Sequence, residues 1–497
     1  MEKNDYTPLP QHDQAPVEVP RQRRATWKLA IPVGILFLLL THLTTSTMTG
    51  KGLFGCAGKA EHGAHMKGHG HAVAHHASLL KEASCPAQPK PISVGADWDI
   101  INDESYADKA AGRLSRAVQI NTVSFDDMPS DPKDPRFDGH TKFAKFLEDE
   151  FPTVYSGLKH EIVNEHAHLF TWEGSSDRKP IYLMAHEDTV PVNKDTEDQW
   201  TFGPWSGEIT KDHSKDTPGT WVWGRGASDC KNSLMGILGS IEKLLEEDFK
   251  PERTILIGYG YDEEIGGGRG ALPIAELIEE RYGKDGVEFI IDEGFSGISD
   301  AYGARVAALG MAEKGSMTVK LTVNTPGGHS SMPPPHTGTI VNHRIAFTSS
   351  VHETKKHYKD VVVPVAKKLG FSISYFGEEP EERKAQHLTI SVVGHEHIDG
   401  LEPAPITPAD SSAFGFIGGT IKTVFGKHTV IAPTGMFANT DTARTWNLTR
   451  NIYRFSPSDL NESGGIHTVD ERISLHGHLT TTQFYYKLIR NTEGWEA

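Results

Sequence analysis

The chain has 497 residues, of which 37% are hydrophobic, and it carries a formal net charge of −16. This length predicts two globular units with appended segments rather than a single domain. The acidic balance, with no basic stripe carrying interleaved aromatic residues, argues against nucleic acid as a partner. Three cysteines are too few for a disulfide scaffold.

The N-terminal region predicts a membrane anchor. Residues 1–28 are rich in proline, glutamine and charge and are expected to form a disordered cytosolic tail. Residues 29–47 are mostly apolar and predict a transmembrane signal anchor. The upstream basic residues place the tail in the cytosol and the remaining chain in a lumen. A cleaved signal peptide, and hence a secreted protein, is the alternative. The glycosylation sequons at Asn447 and Asn461 are compatible with the lumenal side.

A low-complexity stretch over residues 48–94 follows the anchor. It contains several histidines among glycine and alanine, namely His62, His65, His69, His71, His75 and His76. Such a tract either binds metal ions or forms a solvated stalk. Because the spacing is irregular and includes no paired cysteine or carboxylate, it defines no site.

From residue 95 the pattern becomes globular. Predicted helices, which alternate with short apolar runs, cover Ala107 to Arg116, Phe143 to Phe151, Leu234 to Glu247 and Leu272 to Tyr282. This alternation of helices and strands predicts an α/β fold with a mainly parallel sheet and helices on both faces. We assign 95–312 and 401–497 to this catalytic domain. Residues 313–400 alternate like strands and then show an amphipathic helix, which predicts an inserted α+β lid domain.

Acidic or histidine-bearing turns follow the apolar runs. The residues at these turns are His186, Asp188, Asp229, Glu263, Glu264, Asp292 and, far downstream, His467. In a mainly parallel sheet the site forms beyond the carboxyl ends of the strands. Oxygen and imidazole ligands placed there are what a two-metal hydrolase needs. Helix capping by the carboxylates and structural hydrogen bonding by the histidines are the alternative interpretation.

Local spacing suggests a division of roles. His186 and Asp188 are separated by one residue, so both can face one side of an extended turn, with Asp188 orienting the histidine. Glu263 and Glu264 are adjacent, so one can bind metal while the other faces an attacking water. Asp229 has two carboxylate oxygens, which suits a bridge between two ions.

These motifs together resemble the M20 family of zinc metallopeptidases, and within it the fungal carboxypeptidase S (Gly-X carboxypeptidase) group. The matching segments are Ala185 to Pro191, Trp223 to Lys231, Asp262 to Gly267, Ile291 to Gly294, Pro326 to Ser331 and His467 to Glu471. The resemblance implies two zinc ions per subunit. It assigns one ion to His186, Asp229 and Asp292, and the other to Asp229, Glu264 and His467. It makes Glu263 the general base and Asp188 the support of His186.

The resemblance also implies substrate contacts and a location. His329 would be a lid histidine at the scissile carbonyl. Arg344, Thr440, Asp441 and Arg444 are candidates for binding the free carboxylate of a small peptide substrate. The group implies a single-pass type II protein of the vacuole membrane with a lumenal catalytic domain. A homodimer formed through the lid domain is a further expectation.

The predicted lid is shorter than that of the relatives. Only residues 332–341 separate the Pro-Gly-Gly-His-Ser-Ser segment from Asn342. About a hundred residues, roughly half of a normal lid, are therefore expected to be absent, which would expose apolar faces and sheet edges. Either an exon is missing from the deduced sequence or the chain is a reduced paralogue.

Three functions agree with these features. The sequence favours a zinc carboxypeptidase that releases a C-terminal amino acid from short Gly-X peptides. An amidase or aminoacylase acting on N-acyl amino acids could use the same site. A lid-deficient paralogue that binds zinc without catalysis is the third alternative, and the shortened insert favours it.

Overall fold

The computed structural model describes residues 87–497, except 96–97, 130, 132, 213–218, 325–337 and 395–398. The predicted tail, anchor and most of the stalk, together with His329, lie outside the described residues. None of the helices in the described part of the chain combines the length and the apolar character needed to cross a membrane.

A central sheet of eight strands organises the molecule. In spatial order the strands are β1 (Lys159–Val163), β2 (Ala167–Trp172), β6 (Ile255–Gly260), β3 (Ile181–His186), β7 (Ile290–Ala301), β14 (Ile452–Asp459), β8 (Ala304–Glu313) and β13 (Val430–Met436). Strands β6, β3, β7 and β14 run parallel to one another, whereas β1 and β2 add antiparallel pairings at one edge. Every residue of β3 and β6 is buried, as expected of parallel strands covered on both faces.

Eight α-helices surround the sheets in the described residues. They are α1 (Glu104–Val118), α2 (Asp138–Glu150), α3 (Pro152–Gly157), α4 (Lys231–Glu246), α5 (Ala271–Tyr282), α6 (Val351–Lys368), α7 (Ser412–Phe425) and α8 (Leu475–Asn491). Side chains of Asp103, Ser350, Ser411 and Ser474 accept hydrogen bonds from the first turns of α1, α6, α7 and α8. Such caps satisfy amide groups that have no partner inside the helix, and they explain where these helices begin.

Two hydrophobic clusters cover the two faces of the central sheet. The larger contains side chains of α1, α2, α4, α7 and α8 packed on residues such as Leu183, Ile257 and Ile291. The smaller packs α5 against Tyr182, Leu256 and neighbouring residues of the opposite face. The predicted α/β architecture with helices on both faces is confirmed.

A second sheet has four strands and packs against one helix. Its order is β10 (Gly338–Ile345), β9 (Gly315–Asn324), β12 (His387–Val392) and β11 (Ser372–Tyr375). One face buries Met317, Val319 and Ile390 against α6. Outside that contact, Val361, Val365 and Leu369 remain 52%, 56% and 65% exposed. The shortened lid itself stays a prediction.

A small third sheet brings two distant loops together. It contains β15 (Ser463–Gly464), β16 (Arg472–Ser474), β5 (Gly219–Trp223) and β4 (Ile209–Asp212), in that order. Arg472 on β16 pairs with Trp223 on β5 in antiparallel register. The chain that leaves β5 and the chain that enters β16 therefore lie side by side, and these segments carry Asp229 and His467.

Candidate metal centre and substrate cavity

The end of β3 places His186 and Asp188 together. His186 Nδ1 lies 3.0 Å from the carbonyl oxygen of Asp188 and 3.2 Å from its Oδ1. The two Asp188 carboxylate oxygens also accept hydrogen bonds from the backbone N–H groups of Glu263, at 3.1 Å, and Glu264, at 3.2 Å. Asp188 therefore orients the histidine and also fixes the turn after β6, a second contact that the sequence did not predict.

The segment from Asp229 to Cys230 follows the chain out of β5 and opens helix α4. Asp229 Oδ1 lies 3.1 Å from His186 Nε2, and Asp229 Oδ2 lies 3.2 Å from His467 Nε2. Since each carboxylate oxygen faces a different histidine, the geometry matches that of a ligand shared by two ions.

Glu264 and His467 complete one group of ligands. His467 Nε2 lies 3.1 Å from both Glu264 carboxylate oxygens. The hydrogen bonds to Asp229 and Glu264 raise the pKa of His467 to about 10. Among the described residues, His186, Asp229 and Glu264 form a group whose donor atoms lie within 4.8 Å of one another.

The second group contains Glu293 rather than the predicted Asp292. Glu293 Oε1 lies 3.2 Å from His186 Nε2, and Glu293 joins His186 and Cys230 in the other cluster of candidate ligands. Asp292 belongs to neither cluster found in the described residues. Its Oδ1 instead accepts the backbone N–H of Glu293.

The physical reason is the alternation of side chains along a strand. Consecutive residues of β7 point to opposite faces of the sheet. Ile291 belongs to the larger cluster, as does Cys230, whereas Ile290 belongs to the smaller one on the opposite face. Glu293 lies two residues after Ile291, so its side chain points to the same face of the sheet as Ile291. That is the face on which Cys230 and the metal cluster lie.

The clustered acidic side chains repel one another, so the site favours a bound cation. Burial and the nearby Asp229 raise the pKa of Glu264 to about 7 and that of Glu293 to about 8. Burial raises the pKa of Glu263 well above its usual range, and the nearby Glu293 and Glu264 charges act in the same direction. Carboxylates and imidazole are ligands that zinc prefers, and a cation among them would relieve this repulsion. The residues present therefore fit a metal centre.

A cavity of about 1030 Å³ opens beside this cluster. Its lining includes residues of the acidic cluster, namely Asp229, Glu263, Glu264, Glu293 and His467, and also Asn342, Arg344, Asn439 and Thr440. Arg344 is exposed, and its Nη1 donates to Asn439 Oδ1 at 2.7 Å. Thr440 donates its hydroxyl to the buried Glu313. Of the predicted substrate-binding residues, Arg344 and Thr440 thus reach the cavity.

Asp441 and Arg444 do not line this cavity. Asp441 is buried, and neither carboxylate oxygen has a hydrogen-bond partner in the described part of the chain. Burial and the nearby Asp292 and Asp262 raise the pKa of Asp441 well above its usual range. Arg444 donates to the carbonyl oxygen of Gly266. Asp441 and Arg444 therefore lie outside this cavity, and their binding of substrate stays a prediction.

Glycines explain why Asp441 can be enclosed. A Cβ atom on Gly260 would lie 2.6 Å from one carboxylate oxygen of Asp441, and one on Gly267 would lie 2.0 Å from the other. Both distances are shorter than van der Waals contact. Only glycine at these positions leaves room for the carboxyl group behind the turn that carries Glu263 and Glu264.

The remaining predicted sites are spread over the surface. Asn447 and Asn461 are both exposed, as a glycosylation acceptor must be. The Asn447 side chain donates to Glu279 Oε2 at 3.2 Å. His329 lies outside the described residues.

Comparison with known proteins decides the family. Residues 182–491 match peptidase family M20/M25/M40. The chain is 31% identical to carboxypeptidase S of Saccharomyces cerevisiae, with 79% of this chain and 85% of that protein covered. It is also 31% identical to an uncharacterized carboxypeptidase of Schizosaccharomyces pombe, with 80% and 82% covered. The chain belongs to this family. The prediction of an M20 metallocarboxypeptidase, a hydrolase of the carboxypeptidase S group, is confirmed.

The fold agrees with that assignment. Human carnosine dipeptidase 1 superimposes with a TM-score of 0.57 at 12% identity, covering 80% of this chain and 98% of that structure. This likeness extends over both the central sheet and the inserted unit.

The alignment with carboxypeptidase S is longer than the part of this chain that it covers. The match to carboxypeptidase S runs over 503 positions, whereas 79% of this 497-residue chain is about 393 residues. About 110 aligned positions therefore have no residue from this chain.

Proposed function

We propose that this peptidase holds two zinc ions and removes the C-terminal residue from short peptides of the Gly-X type. The observation that carries the proposal is the position of Asp229, whose two oxygens face His186 and His467 separately. One ion would be held by His186, Asp229 and Glu293, and the other by Asp229, Glu264 and His467. Two bound zinc ions would lower the pKa of a water molecule and polarise the peptide carbonyl.

Glu263 is the proposed general base. Its carboxylate lines the cavity, and Oε2 lies 3.9 Å from His186 Nε2, beside the proposed metal positions. A carboxylate beside bound cations can accept a proton from water and return it to the leaving amine. Water adds to the carbonyl carbon, the C–N bond breaks, and the proton passes through Glu263 to the new amino terminus. Asp188 holds the Glu263 backbone in place throughout.

Arg344 is suited to bind the free carboxylate. Arg344 and the Asn439 side chain it contacts line the same cavity as the acidic cluster. Arg344 has no carboxylate partner among the described residues, so its charge is available to a substrate. An arginine can bind a carboxylate through two parallel hydrogen bonds, which orients a peptide with its last amide bond toward Glu263.

The test is hydrolysis by the purified protein lacking its N-terminal 47 residues. We expect glycyl-leucine to be cleaved, with loss of activity on chelation and recovery with zinc. Glu263→Gln should lower kcat by about 10²- to 10⁴-fold while both ions remain bound. Activity that survives both the chelator and the substitution would rule out this mechanism.

The same assay separates the alternatives. Faster cleavage of N-acyl-leucine than of glycyl-leucine would favour the amidase. Two bound zinc ions without hydrolysis of either substrate would favour the non-catalytic paralogue.

The lumenal, vacuolar location is also a proposal. It rests on the apolar segment at residues 29–47 and is compatible with the exposed Asn447 and Asn461. Treatment with an N-glycosidase should increase the gel mobility of the native protein, and Asn447→Gln with Asn461→Gln should remove that shift. An unchanged mobility, together with cytosolic fractionation, would contradict the assignment.

A further inference from the structure

A buried ion pair joins the two loops that carry Asp229 and His467. Arg225 Nη1 lies 2.7 Å from Glu471 Oε2, and the two side chains are only 4% and 0% exposed. Arg225 belongs to the segment that leaves β5, and Glu471 belongs to the segment that enters β16. The pair therefore joins parts of the chain that are 246 residues apart.

Other hydrogen bonds reinforce the same connection. Glu471 Oε1 accepts the backbone N–H groups of Ser228 and Asp229, each at 3.0 Å. Arg225 Nη2 donates to the carbonyl oxygen of Thr468 at 3.2 Å, and Gly224 N–H donates to the Glu471 carbonyl oxygen at 2.8 Å. Each of these bonds runs from one ligand-bearing loop to the other.

His467 depends on such support more than the other proposed ligands. Its side chain is 49% exposed, compared with 18% for Asp229 and 6% for Glu264. Its φ angle of 58° lies in the left-handed region, which non-glycine residues adopt only when the surrounding structure holds them there. The pairing of β5 with β16 extends only to Trp223 and Arg472, so it stops short of both ligands.

We propose that Arg225 and Glu471 are positioning residues that set the metal affinity of the Asp229–Glu264–His467 group. Glu471 acts through the Asp229 backbone, and Arg225 acts through the Thr468 carbonyl next to His467. Burying two charges costs desolvation free energy, and the attraction between them does not always offset that cost. A contribution to stability therefore does not by itself account for the buried pair. The pair spans the two ligand loops, so its role is to fix their separation. The proposal rests on the dinuclear centre proposed above.

The experiment compares Glu471→Gln with Glu242→Gln in the full-length protein. Glu242 forms a similarly buried pair with Arg113, at 2.6 Å with 6% and 7% exposure, but on α1 and α4 away from the cluster. Zinc affinity is measured by chelator competition, and the cobalt-substituted proteins are compared by absorption spectroscopy. Outer contacts to metal ligands typically change metal affinity by about 10- to 100-fold.

We expect Glu471→Gln to bind one of the two ions about 10- to 100-fold more weakly and to alter the cobalt spectrum. Glu242→Gln should keep both ions at wild-type affinity even where it lowers thermal stability. If Glu471→Gln also keeps wild-type affinity for both ions, the positioning role is wrong. If the wild-type protein binds fewer than two ions, the dinuclear proposal itself fails.

Arg225→Lys keeps the result interpretable should Glu471→Gln fail to fold. Lysine retains the positive charge opposite Glu471. It lacks the second guanidinium nitrogen with which Arg225 donates to the Thr468 carbonyl oxygen. A weakened affinity for one ion in this variant would support the proposal. Wild-type affinity for both ions in a folded Arg225→Lys protein would overturn it.

Discussion

The central sheet and the lid unit differ in how completely their apolar surfaces are covered. The central sheet is packed on both faces, and its strand ends hold the acidic cluster through buried hydrogen bonds such as those of Asp188. The lid sheet packs one face on α6, and that helix leaves Val361, Val365 and Leu369 exposed. The metal cluster is therefore assembled on the fully covered sheet, whereas exposed apolar surface lies in the lid unit.

The largest effect is expected at the metal cluster, where adjacent residues provide a matched pair of variants. Glu293→Gln should remove one zinc ion and lower kcat/KM by at least about 10²-fold, because it replaces a charged donor of the cluster. Asp292→Asn, on the opposite side of the strand, should retain both ions. Zinc content after dialysis and hydrolysis of glycyl-leucine measure the two effects. Loss of zinc in Asp292→Asn alone would restore the assignment made from the sequence.

Core substitutions test whether the two regions are energetically separate. Ile257 on β6 and Ile390 on β12 are both buried, one in each region. Changing either residue to alanine should lower the free energy of unfolding of its own region by about 2–5 kcal/mol, because apolar burial is lost and a cavity is left behind. Hydrogen exchange should show Ile257→Ala weakening protection of the central strands and zinc retention. Ile390→Ala should weaken protection of the lid strands alone. Equal loss of protection in both regions with either variant would show that they unfold together.

Part of the metal cluster could be predicted from the sequence for a physical reason. Buried strands followed by polar turns leave a strong local signal, so His186, Asp229 and Glu264 could be placed at one edge of the sheet. The choice between Asp292 and Glu293 depends on which face each residue takes, and neighbouring carboxylates look alike in a sequence. Ile290 and Ile291 pack on opposite faces of the sheet, and this alternation is the signal that could have distinguished Asp292 from Glu293.

Contacts between residues far apart in the chain could not be predicted from local sequence patterns. The Arg225–Glu471 pair joins residues 246 positions apart, and no spacing rule predicts it. Asp441 lies in a polar turn sequence that is typical of a surface, yet Gly260 and Gly267 allow it to be buried. Each of these cases concerns a polar group whose environment is set by tertiary packing.

Acidic pH is expected to weaken the catalytic unit. Burial lowers the pKa of His478 to about 4 and that of His168 to about 3, so both are neutral in the folded protein at pH 5. Unfolded histidine titrates near pH 6.5, so the unfolded chain binds more protons as the pH falls below that value. The stability contributed by these two neutral histidines is present above pH 6.5. It is lost as the pH falls, by up to about 1.4 kcal/mol per pH unit for each group.

Urea unfolding at pH 8, 6.5 and 5 measures this slope. His478→Gln removes one titrating group and can still donate to Asn232 Oδ1, which lies 2.7 Å from His478 Nδ1. The variant should lose less stability between pH 6.5 and pH 5 than the wild type. An identical slope in the two proteins would show that His478 does not contribute.

The smallest effect on stability is expected on the outer face of the lid. Val361 and Val365 are spaced four residues apart and so share one side of α6, and Leu369 follows the last residue of that helix. A contiguous exposed apolar surface favours contact with another molecule, and the expected homodimer through the lid would cover it with a second copy. Val365→Ser combined with Leu369→Gln should change stability by no more than about 0.5 kcal/mol, since surface substitutions rarely do more. Sedimentation velocity should show wild-type dimers and variant monomers, with glycyl-leucine hydrolysis unchanged. If both proteins have the same association state, this side of α6 is not the dimer contact.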